Sequence, residues 1–263
     1  MTTVLASIDN SAACRPVLET AQRLAELLHA SVRAVSVRED GTNTAVEIAA
    51  SLGLNLRVLD GDPIEVITAA LAEPDVLVGV VGARGTPAGA RPAGRATMAI
   101  AMATAKPLVV VAPDCRSSGP QVGSRVLVPM DGTEASAQAM QETSELLSSA
   151  GVDLVGLHVF DRLTMPPFWD QQAHAAESWR REFGARFLPA SASPLELRTG
   201  SPGARVVEVA EEEQADLIAM CWSQDMTSGH AKTVQDVLDR AHVPVLLLPM
   251  ERIVTPTSGQ ADP

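Results

Sequence analysis

The sequence predicts an α/β protein of two tandem units, each an open, mostly parallel sheet with helices on both faces. Three observations carry that expectation. The first is an internal repeat. Residues 4–11 (VLASIDNS) match residues 126–133 (VLVPMDGT) at an offset of 122, and Leu24, Val32, Val35 and Val37 fall on Leu146, Leu154, Leu157 and Val159. The second is that further blocks repeat in the same order. Gly61-Asp62-Pro63 matches Gly200-Ser201-Pro202, VLVGVVGARG (76–85) matches the region of DLIAMCWSQ (216–224), and Lys106-Pro107-LVVVAP matches Val243-Pro244-VLLLP. Matched blocks in one order mean two copies of one supersecondary unit. The third is that short apolar runs alternate with amphipathic ones, the pattern of a parallel sheet covered on both faces.

In the first copy, TVLASI is a short apolar run and reads as a buried strand. Asp9-Asn10-Ser11 follow, residue types that cap helix starts. RPVLETAQRLAELLHA has Val17, Leu18, Ala21, Leu24, Leu27 and Leu28 at helical spacing. SVRAVSV is the next strand, TAVEIAASLG a short helix and LNLRVLDG a third strand. IEVITAALA is helical, VLVGVVG is a strand, ATMAIAMATA is helical and LVVVAP is the last strand. One unit therefore occupies residues 1–114 and the other 125–250. Between them CRSSGPQVGS (115–124), rich in Ser, Gly and Pro, reads as a linker. The polar, Pro-bearing residues 251–263 read as a flexible tail.

Composition narrows the function classes. The 263 residues are 46% hydrophobic and carry a net charge of −12. An acidic surface repels phosphate backbones and anionic lipid, which argues against nucleic-acid and membrane partners. Aromatic residues make up only 3%, so stacking platforms for single strands are few. Cys14, Cys115 and Cys221 lie far apart without a CxxC spacing, as expected of thiols in a reducing compartment. MTTVLASIDN lacks a basic region followed by a long apolar stretch, so no signal peptide is expected and the predicted location is cytoplasmic. Richness in Ala with little Lys suits a GC-rich bacterial source.

The blocks together resemble the universal stress protein family. Its pattern of an apolar strand ending in Pro-x-Asp-Gly-Ser is close to Pro129-Met130-Asp131-Gly132-Thr133. Ser7-Ile8-Asp9-Asn10-Ser11 keeps the aspartate but lacks the proline. The family's Gly-x-Pro stands at Gly61 to Pro63 and at Gly200 to Pro202. The resemblance implies a five-stranded parallel sheet in each unit, paired through the last strands (108–112 and 245–249) into an intramolecular pseudo-dimer. It also implies a non-catalytic stress-response protein, with ATP as a ligand in many members, no metal, and a protein partner or homodimer as the route of action. Asp9 and Asp131 match the aspartate at the family's adenine end; helix capping accounts for them as well.

The family's Gly-x-x-Gly, spacer and third glycine are matched by Gly82, Gly85 and Gly94. Independently of the resemblance, a phosphate loop needs close backbone approach, which glycine allows, and a helix N-terminus beyond it. Arg84, Arg91 and Arg95 add fixed cations suited to phosphate. The gap from Gly85 to Gly94 is one residue shorter than the family's. Arg95 stands where a hydroxyl is usual, with Thr97 two residues on. Two readings follow: a nucleotide site made by Asp9, Gly82, Arg84, Gly85, Gly94, Arg95 and Thr97, or a surface loop whose glycines only turn the chain. In the second unit Cys221-Trp222-Ser223-Gln224 replaces Gly-x-x-Gly, and the bulk of Trp222 is expected to block backbone approach.

Other features allow other functions. Trp179, Phe183 and Phe187 lie on one helix face, with Phe160, Phe168 and Trp169 nearby. They read as a core face, or as a lid over an apolar pocket with MPPFWD (165–170) as its entrance. None of His29, His158, His174, His230 and His242 has metal-ligand spacing to another His or Cys. An interaction module without nucleotide is one alternative, and a slow nucleotide hydrolase another.

Overall fold

A computed structural model describes residues 1–38, 44–83, 94–115, 124–161, 165, 173–188, 192–225 and 229–250. Arg84, Gly85 and Arg91, residues 116–123 of the linker, Phe168, Trp169 and the 251–263 tail lie outside the described residues.

The first unit runs β1 (Thr3–Ile8), α1 (Cys14–Leu27), β2 (Ser31–Val37), α2 (Thr44–Ser51), β3 (Leu56–Leu59), α3 (Pro63–Leu71), β4 (Val76–Gly82), α4 (Arg95–Ala103) and β5 (Leu108–Val111). The second repeats it: β6 (Arg125–Pro129), α5 (Glu134–Ser149), β7 (Asp153–Phe160), α6 (Ala173–Phe187), β8 (Ala192–Thr199), α7 (Pro202–Glu212), β9 (Leu217–Trp222), α8 (Gly229–Arg240) and β10 (Val245–Pro249). Every strand and helix expected in the first unit is present.

The two five-stranded sheets form one. Its order is β3-β2-β1-β4-β5-β10-β9-β6-β7-β8. Pairing is parallel within each unit and antiparallel at the join, where Val245, Leu246 and Leu247 stand opposite Val110, Val109 and Leu108. All six joining side chains are buried. The predicted pairing through the last strands therefore covers an apolar edge on each unit that would otherwise offer unpaired backbone.

Strand side chains alternate between two cores. Val4, Ala6 and Ile8 pack with α1 and α2, and the same face of the second unit packs with α5 and α6. Leu5 faces the layer of α3 and α4, continued by α7 and α8. α1 buries the predicted Val17, Leu18, Ala21 and Leu24. The aromatic helix α6 takes its core reading: Phe183 is buried and stacks on Trp179 at 4.6 Å, and Phe160 meets Trp179 at 4.7 Å.

One local expectation needs correcting. Asp9-Asn10-Ser11 do not cap α1 with a side chain at its N-cap, which is Ala13. Asp9 instead accepts the Ser11 N–H at 3.0 Å and so closes its own turn. Asn10 accepts the Ala45 N–H at 3.0 Å, which satisfies a first-turn donor of α2, the neighbouring helix on the same face of the sheet. In the second unit Thr133 does cap α5 through the Ser136 N–H, at 3.2 Å.

Candidate functional site

Each unit opens a cleft where its strand order reverses, β1 beside β4 and β6 beside β9, beyond the strands' C-terminal ends. Open α/β sheets bind ligands at this place.

The first cleft encloses about 310 Å³. Asp9, at the end of β1, forms part of its wall, with Arg38 after β2, Gly61 after β3 and Gly82 closing β4. Ala96 and Thr97 of α4 close the other side. Gly82 packs closely: a Cβ there would stand 3.0 Å from that of Ala13, so the missing side chain seats the β1–α1 connection against β4. Gly61 has φ +130°, where an L side chain is strained, and Asp62 then caps α3 by accepting the Ile64 and Glu65 N–H groups at 3.0 and 3.1 Å.

The start of α4 is the polar feature of this cleft. Gly94 is its N-cap and has no side chain to cap with, so among the described residues no side chain caps the first-turn N–H groups at the positive end of the helix dipole. The Gly94 N–H itself donates to the Ala83 carbonyl at 2.8 Å. Thr97 is buried; its hydroxyl donates to the Gly82 carbonyl at 2.7 Å, with the Ala83 carbonyl at 3.2 Å. Its proton is thus committed to the backbone, and it pins α4 to the end of β4. Arg95, the first residue of α4, is exposed.

The structure therefore brings Asp9, Gly82 and Thr97 to one cleft and sets Gly94 and Arg95 at the adjoining helix start. Arg84 and Gly85 lie outside the described residues. Sequence reading missed Arg38, whose Nε donates to Asp60 at 2.5 Å. That hydrogen bond, then the mutual charge, raises the Arg38 pKa and lowers that of Asp60. Its signal was its place just past a strand, which means something only once the strand order is known. Cys14 also lines the cleft; burial, then the Asp9 charge, pushes its thiol up to about 11, so it stays protonated at neutral pH.

The second cleft is larger, about 430 Å³, and differently charged. Asp131, Asp161 and Asp236 contribute to its wall against Lys232. Three carboxylates to one ammonium oppose a polyphosphate. His158 is buried, and its Nδ1 meets the Met130 carbonyl at 2.8 Å; a carbonyl only accepts, so Nδ1 carries the hydrogen. Burial lowers the His158 pKa, against the opposing pull of that hydrogen bond and of Asp131, so the ring is neutral at pH 7. Asp131 accepts the Thr133 N–H at 2.9 Å, the turn role that Asp9 plays in the first unit. Gly132 beside it has φ +84°.

The replaced loop has other duties. Cys221 occupies the register position of Gly82, and its thiol donates to the Ser136 carbonyl at 3.2 Å. Trp222 is 1% exposed and packs into the α7–α8 face of the sheet. Gln224 reaches into the first unit, its Nε2 donating to the Ala101 and Thr104 carbonyls at 2.9 and 2.6 Å.

Among the described residues, no group of three or more His, Cys, Asp or Glu side chains is placed to hold a metal, and no helix is long and apolar enough to cross a membrane.

Residues 124–249 match the model of the universal stress protein family. Over nearly its whole length the chain resembles a functionally unknown protein from Pseudomonas aeruginosa PAO1, with 14% identity, a TM-score of 0.66 and coverage of 95% of this chain and 93% of that one. It also resembles a universal stress protein from Archaeoglobus fulgidus DSM 4304, with 15% identity, a TM-score of 0.62 and coverage of 94% and 96%. At these identities the likeness is one of fold. No curated protein matches the chain.

Proposed function

The second half of the chain being a universal stress protein domain, and the whole chain having the fold of such proteins, we propose that it is a non-catalytic tandem universal stress protein. In this reading the first unit, residues 1–114, holds ATP or a related nucleotide, and the second, residues 125–250, is its scaffold. The observation that carries it is the start of α4, where no side chain among the described residues caps the helix, beside the switch-point cleft with Asp9 in its wall. An anion offered to that helix start meets N–H donors and a favourable dipole. Gly82, Gly85 and Gly94 would let the backbone approach phosphates, Arg84 and Arg95 would add charge, and Asp9 would meet the base or ribose. Thr97 would hold the helix in place. The carboxylates of the second cleft favour the first unit as the nucleotide's site.

The non-catalytic reading is supported by the chemistry of the wall: Cys14 is protonated, Asp9 accepts within its own turn, and the Thr97 proton rests on a carbonyl. A cytoplasmic regulator of stress survival would pass the state of this cleft to a protein partner or to a second copy of the chain.

The test is calorimetric titration of the full chain with ATP, with Arg95→Glu as comparison. One ATP per chain is expected, with affinity lowered about tenfold or more in Arg95→Glu, as for a lost charge-assisted contact. No heat at millimolar ATP sinks the reading. Phosphate release above a buffer blank sinks its non-catalytic part.

A further inference from the structure

The segment that replaces the Gly-rich loop in the second unit grips the first. Gln224 stands at the position of Gly85, and its carboxamide nitrogen donates to two carbonyls at the end of α4. Those carbonyls belong to the last turn, which a helix leaves without partners of its own. Thr104, the C-cap of α4, has extended backbone and supplies no continuing turn. Gln224 itself has φ +58°, a left-handed conformation uncommon for a residue other than glycine. A half-buried side chain on such a backbone, with both of its donors used, is held in one arrangement.

The helix it grips forms one side of the first cleft. At its other end α4 is tied by Thr97 to the Gly82 and Ala83 carbonyls. Its two ends are therefore fixed by different units. Ala96 and Thr97 of the cleft wall lie on the same nine-residue helix as the carbonyls that Gln224 holds, so the hold at one end of α4 bears on the wall at the other.

We propose that Gln224 is a positioning residue for the first unit's cleft: the second unit clamps the C-terminal carbonyls of α4 and so sets the wall the ligand meets. The clamp stands on geometry alone, and only its effect on nucleotide affinity rests on the nucleotide reading.

The experiment compares the full chain with Gln224→Leu and Gln224→Lys. Leucine fills the space without a donor; lysine can donate to the same carbonyls. Two readouts are taken. One is ATP affinity. The other is the rate at which a thiol reagent labels Cys14, located by peptide mass; Cys14 lines the cleft and is 1% exposed, so its rate reports opening without any ligand. In Gln224→Leu, labelling is expected to be about threefold to tenfold faster and the ATP dissociation constant higher by about the same factor, the fold-change of a lost hydrogen bond. Gln224→Lys is expected to restore both. Wild-type rates and affinity in Gln224→Leu overturn the clamp, as does Gln224→Lys behaving like Gln224→Leu. Faster labelling with unchanged ATP affinity overturns control of the ligand site. If the wild type binds no ATP, the nucleotide reading fails, and the Cys14 rate alone decides the clamp.

Discussion

His158 is 7% exposed, donates from Nδ1 to the Met130 carbonyl and packs on Phe160 and Phe183 at centroid distances of 4.6 and 4.5 Å. Its folded pKa lies below the ordinary 6.5 because burial disfavours the charged ring. Well above pH 6.5 both folded and unfolded rings are neutral and the group contributes nothing to the pH dependence. Below it the unfolded chain binds a proton that the folded chain resists, so stability is lost as pH falls. Urea midpoints measured from pH 7.5 to 5 are expected to fall more steeply for the wild type than for His158→Gln; parallel curves count against a buried neutral ring. Thr97 gives a second residue-scale test. Thr97→Val keeps the shape and removes the donor to the Gly82 carbonyl, at an expected cost of about 1–2 kcal/mol by urea denaturation. An unchanged midpoint means that the hydroxyl does not pin α4. At this scale the sequence showed that Asp9, Gly82, Gly94 and Thr97 were notable. It could not show that the Thr97 proton goes to a carbonyl or that Asn10 caps a helix 35 positions away, because both depend on where distant backbone groups end up.

Elements were legible wherever periodicity and turn chemistry act locally. The predicted strands TVLASI, SVRAVSV and VLVGVVG coincide with β1, β2 and β4, since each is an apolar or alternating run between turn residues. Gly61 and Asp62 marked the start of α3 for reasons visible in the residues: the glycine takes φ +130° and the aspartate accepts two first-turn N–H groups. Asp62→Ala is expected to cost about 1 kcal/mol in thermal or urea unfolding. Gly79 inside β4 is a case the sequence left silent. A Cβ there would lie 2.4 Å from Leu71 of α3 and 2.9 Å from Leu108 of β5, both buried. Gly79→Ala is therefore expected to destabilise by about 1–3 kcal/mol through overpacking. A neutral result means that α3 can shift away from β4. The α1 cap was misassigned because Asp-Asn-Ser fits several turn bonds equally well, and only the position of α2 beside α1 selects among them.

For the whole molecule, the decisive contact is between the last strands. β5 and β10 pair antiparallel through six buried apolar side chains, and His242 lies 3.4 Å from Asp114 across the same seam. Separating the units exposes both edges. A fragment of residues 1–114 is expected to self-associate in light scattering, whereas the full chain hides this edge. A monomeric, stably folded fragment at high concentration argues that the seam is dispensable. The repeat in the sequence already implied two equivalent units, and the resemblance implied their pairing. The degenerate loop of the second unit was legible too; what was not was that its cleft has three carboxylates in the wall and that Gln224, at the replaced loop, reaches carbonyls of the first unit.

The sequence by itself determined the duplication and the alternation of strands and helices, because hydrophobic period and turn chemistry are properties of neighbouring residues. Only the tertiary structure decided the register in which the two sheets join, that Arg38 and Cys14 join Asp9 at a single cleft, and that Gln224 serves a helix 120 residues earlier in the chain. Those outcomes depend on the order in which strands stack and on which buried donors and acceptors then need partners.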